Sequence, residues 1–419
     1  MDDLWFTFHI TNKTNKIVPS EKTRQIIRRW NICYQTASNV GNVCIYDGPD
    51  AYYNSHIIRL NLEKKWYTFA FLKSAFCRNQ VEVWWSIKGV DNFTEDFLLD
   101  TFIPFPTIKN HKNPKQVEEY ISLLVQNMID KEEKIRAKNE EIDSLIEKEL
   151  IENQKDEKFE YRFPRISEIR EEGRLDTGLY WMRYHLEDSY IQKYKNWYSD
   201  IFSSWYEVSR GQNLQVSNIG ESWYFEEYKK LSYRLLLSKY FGNRTIEKFS
   251  YIWNKNFLKT IQQGDIIFSC RGEMGRAYYF PEIIENTITN IDNVHLASAE
   301  TSIEQKTYLF CIFWFFKKRG ILDAIACTGS GAPSFTKYQF EKLKIPNFPA
   351  SKQQEIAILY YHPLSKNEDL NLENYLEREN QRNKEVGIFQ LNMEIFELRE
   401  RLGELVDAVV MERTINILL

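Results

Sequence analysis

The chain of 419 residues is long enough for two or three domains, and with 43% apolar and 15% aromatic residues it can bury real cores. It has no run approaching the roughly 18 uncharged apolar residues that cross a membrane. It opens on Met1-Asp-Asp-Leu-Trp without signal-peptide character, so a cytoplasmic protein is expected. Six scattered cysteines (Cys33, Cys44, Cys77, Cys270, Cys311, Cys327) without a C-x-x-C pair predict reduced core thiols, and six dispersed histidines form no metal motif.

The formal charge of −4 hides a segregation. Residues 113–158 carry 8 Lys/Arg against 13 Asp/Glu, and residues 366–419 carry 7 against 12. Two segments of −5 each in a chain of −4 leave +6 for the remainder. The globular parts are therefore basic, as a phosphate-facing surface requires.

The first globular stretch alternates apolar and polar residues at His56–Leu62 and at Gln80–Trp85, which predicts strands, with an apolar helix over 66–77 between them. It ends on Phe97–Ile103 and the turn Pro104-Phe-Pro106. Residues 113–153 then predict one helix: Asn113 suits the N-cap, Pro114 the first helical position, and Gln116 the capping box. Ile121, Met128, Ile135 and Ile142 recur every seven residues; Val117, Leu124 and Leu145 form a companion seam that Lys131 and Lys138 interrupt. A charged helix of this length is marginal by itself, so the seam needs a partner.

The second globular stretch contains a strand at Gly264–Ser269, a glycine loop through Gly272 and Gly275, and an apolar helix over 306–319. The polar loop Cys327–Ser334 and a helix capped by Thr336-x-x-Gln339 follow. The stretch ends, like the first, on a proline turn, Pro346-Asn-Phe-Pro349, and a capped helix begins at Ser351. Pro104 and Pro346 lie 242 residues apart, too long for a solenoid period. The spacing indicates two copies of one mixed α+β domain, each followed by a helix. The C-terminal helix is expected in two pieces, 351–361 and about 372–412, because His362-Pro363 and the polar run 365–369 break it. Its stripe Leu391, Ile395, Leu398, Leu402, Leu405 and Val409 alternates spacings of four and three. This stripe is read as packing within the chain, antiparallel, against Ile121, Leu124, Met128, Ile135 and Ile142. Pairing with other chains is the alternative.

Taken together, Gly264-Asp-Ile-Ile-Phe-Ser with its Gly-x-x-Gly loop, Gly329-Ser-Gly-Ala-Pro-Ser-Phe-Thr336, Leu343-Lys-Ile-Pro-x-x-Pro349 and Lys352-Gln-Gln-Glu-Ile-Ala357 resemble the target-recognition domain and following helix of type I restriction–modification specificity subunits. Ile166–Thr177 resembles the entry segment of such domains. The resemblance covers about 160–360 well, and Gly41-Asn-Val-Cys-Ile-Tyr46 matches Gly275-Arg-Ala-Tyr-Tyr-Phe280 in position in the first unit. It implies an α+β architecture of two mixed α/β target-recognition domains separated by two long antiparallel coiled-coil helices, with pseudo-twofold symmetry. On that reading residues 1–108 form the first recognition domain, 109–158 the first spacer helix, 159–349 the second recognition domain and 350–419 the second spacer helix. Each domain then reads one half of a split site on double-stranded DNA, and the helices set the spacing and dock methyltransferase subunits. Restriction/translocase subunits are a further possible partner class. The resemblance implies no cofactor in this chain, with S-adenosylmethionine, ATP and Mg held by partner subunits.

This sequence departs from the pattern in its first unit: 40 residues precede Gly41, against 116 between residue 159 and Gly275, so about 76 residues are missing. The first half-site is accordingly expected to be read poorly.

Affinity needs Lys/Arg near phosphates and specificity needs side chains that reach base edges. The candidates in the second unit are Arg210, Gln212, Asn213, Gln215, Arg271, Arg276, Ser330, Ser334 and Lys337; in the first they are Gln35, Ser38, Asn39 and Arg59. Trp84, Trp85 and Trp253 are read as core aromatics. The chain has no glycine-rich cofactor loop with an N-P-P-Y-type motif and no Gly-Lys-Ser/Thr phosphate loop, so no catalysis is assigned to it. The alternative is a coiled-coil scaffold, or an inactive recombined or truncated specificity cassette, without DNA reading of its own.

Overall fold

The structure, a computed structural model, describes residues 6–8, 26–37, 40–53, 56–88, 98–155, 158–173, 175, 177–198, 201–328 and 333–417. The chain forms two compact units. One comprises residues 1–136, 363–386 and 390–419; the other comprises 137–362 and 387–389. The helix Pro114–Glu152 gives its residues up to Arg136 to the first unit and the rest to the second.

The first unit is built on short apolar strands. These are β1 (Thr7–Phe8), β2 (Ile26–Ile27), β3 (Ile32–Gln35), β4 (Val43–Tyr46), β5 (Ala51–Tyr52) and β6 (Ile57–Leu60). Four of them form a sheet in the order β1-β4-β3-β6, with β1 parallel to β4 and the other pairs antiparallel; β2 and β5 pair separately. Ile32, Tyr34, Val43 and Ile45 pack on the helix Lys65–Lys73, whose Tyr67, Phe69, Ala70 and Phe71 are buried. Ser74 ends that helix, its hydroxyl donating to the Phe71 carbonyl at 2.6 Å, and a second helix runs Ala75–Lys88. Gln80–Trp85 is therefore helical, not the expected strand. Phe76, Cys77 and Val81 face the core at helical spacing while Val83 is exposed, and that packing overrides the apparent alternation.

Helices complete this unit. Asn110 donates to the Ala408 carbonyl, Arg401 to the Tyr120 hydroxyl and Lys131 to Glu394. Partner numbers fall as helix numbers rise, so Pro114–Glu152 and Ile388–Val410 run antiparallel here. The C-terminal segment has one more break than expected: its helices are Ala350–Tyr360, Tyr375–Glu385 and Ile388–Val410. The extra break falls at Gly387, where a Cβ would lie 2.5 Å from the His362 nitrogen and 2.6 Å from the Tyr360 oxygen. Only a residue without a side chain lets the backbone pass so close.

Lys131 interrupts the apolar seam because it belongs to a buried polar layer. Its ammonium donates to Asn383 at 2.7 Å and Glu394 at 2.5 Å, and Glu379 lies at 3.4 Å. Arg382 grips both Glu394 oxygens at 2.9 and 2.6 Å, while Asn383 donates to Asn127 and Asp130. Burial raises the Glu394 pKa, but Arg382 and Lys131 outweigh it and the carboxyl is held below its usual range.

The second unit contains β7 (Trp197–Tyr198), β8 (Glu207–Arg210), β9 (Ser222–Phe225), β10 (Tyr233–Leu236), β11 (Ser250–Asn254), β12 (Ile266–Ser269), β13 (Ala277–Tyr279), β14 (Thr287–Thr289), β15 (Asn293–Ala297), β16 (Cys327–Thr328), β17 (Pro333–Ser334) and β18 (Ile345–Pro346). They form two four-stranded sheets, β13-β12-β15-β8 and β14-β10-β11-β9, and the pairs β16-β17 and β18-β7. The helix Ile303–Arg319 is started by a Ser302–Gln305 capping box and buries Tyr308 through Phe316. Arg244, fully buried, donates through its terminal nitrogens to Asp143 at 2.6 Å, Asn139 at 2.9 Å and the Cys311 carbonyl at 3.2 Å, while its Nε has no partner.

The two units repeat one local design. In the β3–β4 hairpin Gln35 N–H donates to Asn42 O and Gly41 N–H to Gln35 O; in β12–β13 Ser269 N–H donates to Arg276 O and Gly275 N–H to Ser269 O. Both loops are closed at a six-residue offset on a glycine with φ of +90° or +80°. The Tyr67 hydroxyl donates to the Pro104 carbonyl and the Tyr308 hydroxyl to the Pro346 carbonyl, each at 2.7 Å. The shared sheet is β4-β3-β6 in one unit and β13-β12-β15 in the other. The fourth strand differs: β1 joins the β4 edge, whereas β8 joins the β15 edge. Among the described residues the first unit has no counterpart of β8.

Lys131→Ala leaves Glu379 and Glu394 short of a buried partner, so it is expected to cost about 3–5 kcal/mol in urea unfolding. Tyr67→Phe and Tyr308→Phe each strand a carbonyl at the same place in the repeat. Each is expected to lower stability by about 1–3 kcal/mol in the same measurement, with similar values at the two positions.

Candidate nucleic-acid interface

The best-formed candidate surface lies in the second unit at the end of β8 and the β12–β13 loop. β8 pairs antiparallel with β15, placing Arg210 opposite Val294 at the strand end. Arg210 is exposed and touches the Ile291 carbonyl at 3.2 Å. The β12–β13 loop is pinned from both sides: Cys270 N–H donates to Asp292 O, Phe335 N–H donates to Cys270 O, and the Ser269 hydroxyl donates to the Arg271 carbonyl at 2.9 Å. Its backbone is fixed and Arg271 projects into solvent. Burial pushes the Cys270 thiol up to about 12, against the opposing effect of both Arg210 and Arg271. Both guanidinium groups thus act on one neighbourhood.

Lys259 joins them. Its ammonium donates to the Ser209 hydroxyl and the Arg210 carbonyl, both at 2.9 Å, and it remains exposed. Sequence reasoning missed it because its place beside Arg210 depends on a contact 49 residues away along the chain.

The other candidates fare unequally. Gln212 accepts from Lys259 N–H at 2.9 Å and bridges to Asn290, so it joins the two sheets. Asn213 accepts from Gln215 N–H at 3.1 Å, which shapes the start of the short helix Val216–Ile219; Gln215 itself is exposed. Arg276 is turned back onto the protein, donating to the Phe241 carbonyl at 2.8 Å and pairing with Glu273 at 3.0 Å. Ser334 lies half-buried in β17. Lys337 opens the helix Lys337–Lys342, and Ser330 lies outside the described residues. In the first unit Gln35 donates to the Ala37 carbonyl at 2.9 Å within its own loop, Arg59 is exposed on β6, and Ser38 and Asn39 lie outside the described residues. The structure thus brings Arg210, Arg271 and Gln212 to one end of the sheets and commits Arg276 elsewhere.

A second feature adjoins this end. Ile252 and Leu235 bury one face of the β14-β10-β11-β9 sheet, and its opposite face is open over β9 and β11. There Trp253 stands directly across from Trp223, 38% and 65% exposed, so Trp253 is not the core residue expected. On a sheet covered on one side the alternate residues must face outward, whatever their polarity. Residues 222–260, which supply this sheet, carry six lysines and two arginines against three glutamates, and of these Arg244 is buried against Asp143.

The seam residues Ile121, Leu124, Met128, Ile135, Ile142, Leu391, Ile395, Leu402, Leu405 and Val409 are buried, and Leu398 is partly buried against the first unit's core. The described cysteines Cys33, Cys44, Cys77, Cys270 and Cys311 are free and buried. Among the described residues no cluster of His, Cys, Asp or Glu could hold a metal ion, and no helix is long and apolar enough to cross a membrane.

Residues 204–371 match the family model described as "Type I restriction modification DNA specificity domain". They include β8, the arginine loop and the aromatic sheet. No curated protein matches the chain. Among solved structures it is similar to the S subunit of a type I restriction–modification system from M. genitalium (12% identity, 97% of this chain and 88% of that one, TM-score 0.45). It is also similar to the HsdS subunit from Thermoanaerobacter tengcongensis (14% identity, 93% and 83%, TM-score 0.30). A third similar chain comes from a structure of type I R-M complex assembly and conformational transition (15% identity, 94% and 84%, TM-score 0.32). At these values the structural likenesses add no weight, and the assignment rests on residues 204–371. Residues 204–371 of the chain are thus similar to the DNA specificity domain of type I restriction–modification systems.

Proposed function

We propose that this chain selects the DNA sequence for a type I restriction–modification complex and leaves the chemistry to its partners. The observation that carries the reading is the coincidence of the family's DNA specificity domain with the exposed cluster Arg210, Lys259 and Arg271. Lysine neutralises phosphate as a point charge, and arginine can grip guanine through two parallel hydrogen bonds. A rigid loop suits the second task, because base readout requires a side chain held in register. Arg210 and Arg271 are accordingly assigned to base edges and Lys259 to the backbone, with Gln212 holding the surface in shape. The sheet bearing Trp223 and Trp253 extends the phosphate-facing area.

Residues 159–349 are assigned to one half of a split target and residues 1–108 to the other. The segments 109–158 and 350–419 are assigned to docking methyltransferase subunits, which bring S-adenosylmethionine. ATP and Mg belong to restriction/translocase subunits where these are present. Among its described residues the first recognition domain has no counterpart of β8, the strand that ends on Arg210, which supports a weaker contribution from that domain.

Methylome sequencing of the host with and without this gene tests the reading. Loss of one N6-methyladenine motif is expected, with one half sharply specified; no change in any motif overturns it. In DNA binding by the assembled methyltransferase, Lys259→Ala is expected to weaken binding to all sequences alike and to reduce the salt slope by about one. Arg271→Ala is expected to cost about 1–3 kcal/mol and to relax preference at one base position.

A further inference from the structure

The proline turns that end the two units share one side of their bonding and differ on the other. In the second unit Ile345 and Pro346 of β18 pair antiparallel with Tyr198 and Trp197 of β7, and Asn347 N–H donates to the Asn196 carbonyl at 3.0 Å. Pro346 therefore takes a non-hydrogen-bonded position of the ladder, where its missing N–H costs nothing. Its carbonyl is taken by the Tyr308 hydroxyl, and both residues of β18 are buried.

The first unit has half of this arrangement. Tyr67 takes the Pro104 carbonyl at 2.7 Å. The Gln80 amide brackets Phe102, accepting from its N–H and donating to its carbonyl, both at 3.0 Å. In an extended chain alternate residues turn their backbone groups to opposite sides. Residues 102 and 104 are thus bonded to the unit, and residues 103 and 105 turn the other way. The Ile103 N–H and C=O and the Phe105 N–H have no partner among the described residues, whereas their counterparts Ile345 and Asn347 are paired with the β7 segment.

A bare strand edge is normally blunted by charged side chains. Residues 101–108 carry none, and Phe102 and Ile108 are 64% and 82% exposed. Counted from the proline, Phe102 corresponds to Lys344, whose ammonium lies 4.6 Å from the Trp197 ring centroid. The tryptophan of β7 thus covers the residue two before the proline in the second unit. In the first unit that residue is an exposed phenylalanine.

We propose that the edge Ile103–Phe105 accepts an extended strand of a different polypeptide, with an aromatic residue opposite Pro104, and that this strand completes the first unit as β7 completes the second. Main-chain bonds supply affinity in such strand addition, and alternate side chains supply specificity. A folded second copy of this chain is not the donor, because its Trp197 and Tyr198 are already paired with Pro346 and Ile345. The proposal is independent of the DNA-reading assignment, since it rests on the backbone of the first unit.

The test is fluorescence anisotropy of the full chain with the labelled peptide Lys-Tyr-Lys-Asn-Trp-Tyr-Ser, the sequence of residues 193–199. Saturable binding is expected. N-methylation of the peptide at the tyrosine that follows tryptophan removes the donor opposite the Ile103 carbonyl, and it is expected to weaken binding at least about tenfold. Phe102→Asp is expected to weaken binding about tenfold with an unchanged melting temperature, because this side chain is exposed. Phe102→Lys is expected to retain binding to within about threefold, since a lysine faces tryptophan at this place in the second unit. No binding, equal binding of the N-methylated peptide, binding undiminished in Phe102→Asp, or equal losses in the two Phe102 variants overturns the proposal. Self-association of the chain that Phe102→Asp abolishes, without peptide binding, assigns the edge to a second copy and overturns it as well.

Discussion

One hydrogen bond, made twice, closes the design on which each unit depends. A buried tyrosine near the start of a core helix, Tyr67 or Tyr308, donates to the carbonyl of the proline that ends the globular segment. Proline fixes its own φ and offers no N–H, so its carbonyl is the one backbone group left there to satisfy. The tyrosine satisfies it and ties the helix under the sheet to the chain's exit. The next ring completes the closure: Phe105 stacks on Tyr67 at 5.0 Å, and Phe348 lies 5.3 Å from Tyr308. The helices that follow each exit therefore leave from a fixed point of the domain.

The second constraint is the price of buried charge. Lys131 and Arg244 are almost fully enclosed, and each is surrounded by carboxylates, amides or carbonyls that replace water. Such pairs contribute little net stability compared with apolar packing, but they are costly to misalign. A shift of the C-terminal helices by one turn within the first unit would separate Lys131 from Glu394 and Asn383 from Asn127 and Asp130. An uninterrupted leucine seam would tolerate that slip, and this layer does not. Register, more than strength, is what it supplies.

Much of this was legible in the sequence. The long helix, the apolar stripe at Leu391–Val409 and the two proline turns carry strong local signals, and each depends on neighbours within a few residues. The expected and observed bounds of the first long helix, 113–153 and Pro114–Glu152, differ only at the ends. What failed depended on distant contacts. Gln80–Trp85 alternates like a strand but is drawn into a helix by the core that Phe76, Cys77 and Val81 meet. The break at Gly387 answers to backbone at Tyr360 and His362. At the candidate interface, Arg210 and Arg271 could be singled out by type, but the commitment of Arg276 to Phe241 and the arrival of Lys259 beside Arg210 could not. Trp253 shows the limit most plainly, because hydrophobicity alone does not say which face of a sheet will be covered.

The placement of the fourth strand has a consequence for how such a protein can change. The glycine-closed hairpin, the one strand that flanks it and the tyrosine–proline bond are complete in both units, although the added strand lies at opposite edges. The framework thus closes its own hydrogen bonds before the edge is decided. Insertions, deletions or exchanges of the segments that supply that edge leave the framework's internal bonds intact. Folding can then be conserved while that edge changes, which makes the edge of the sheet the tolerant margin of this molecule.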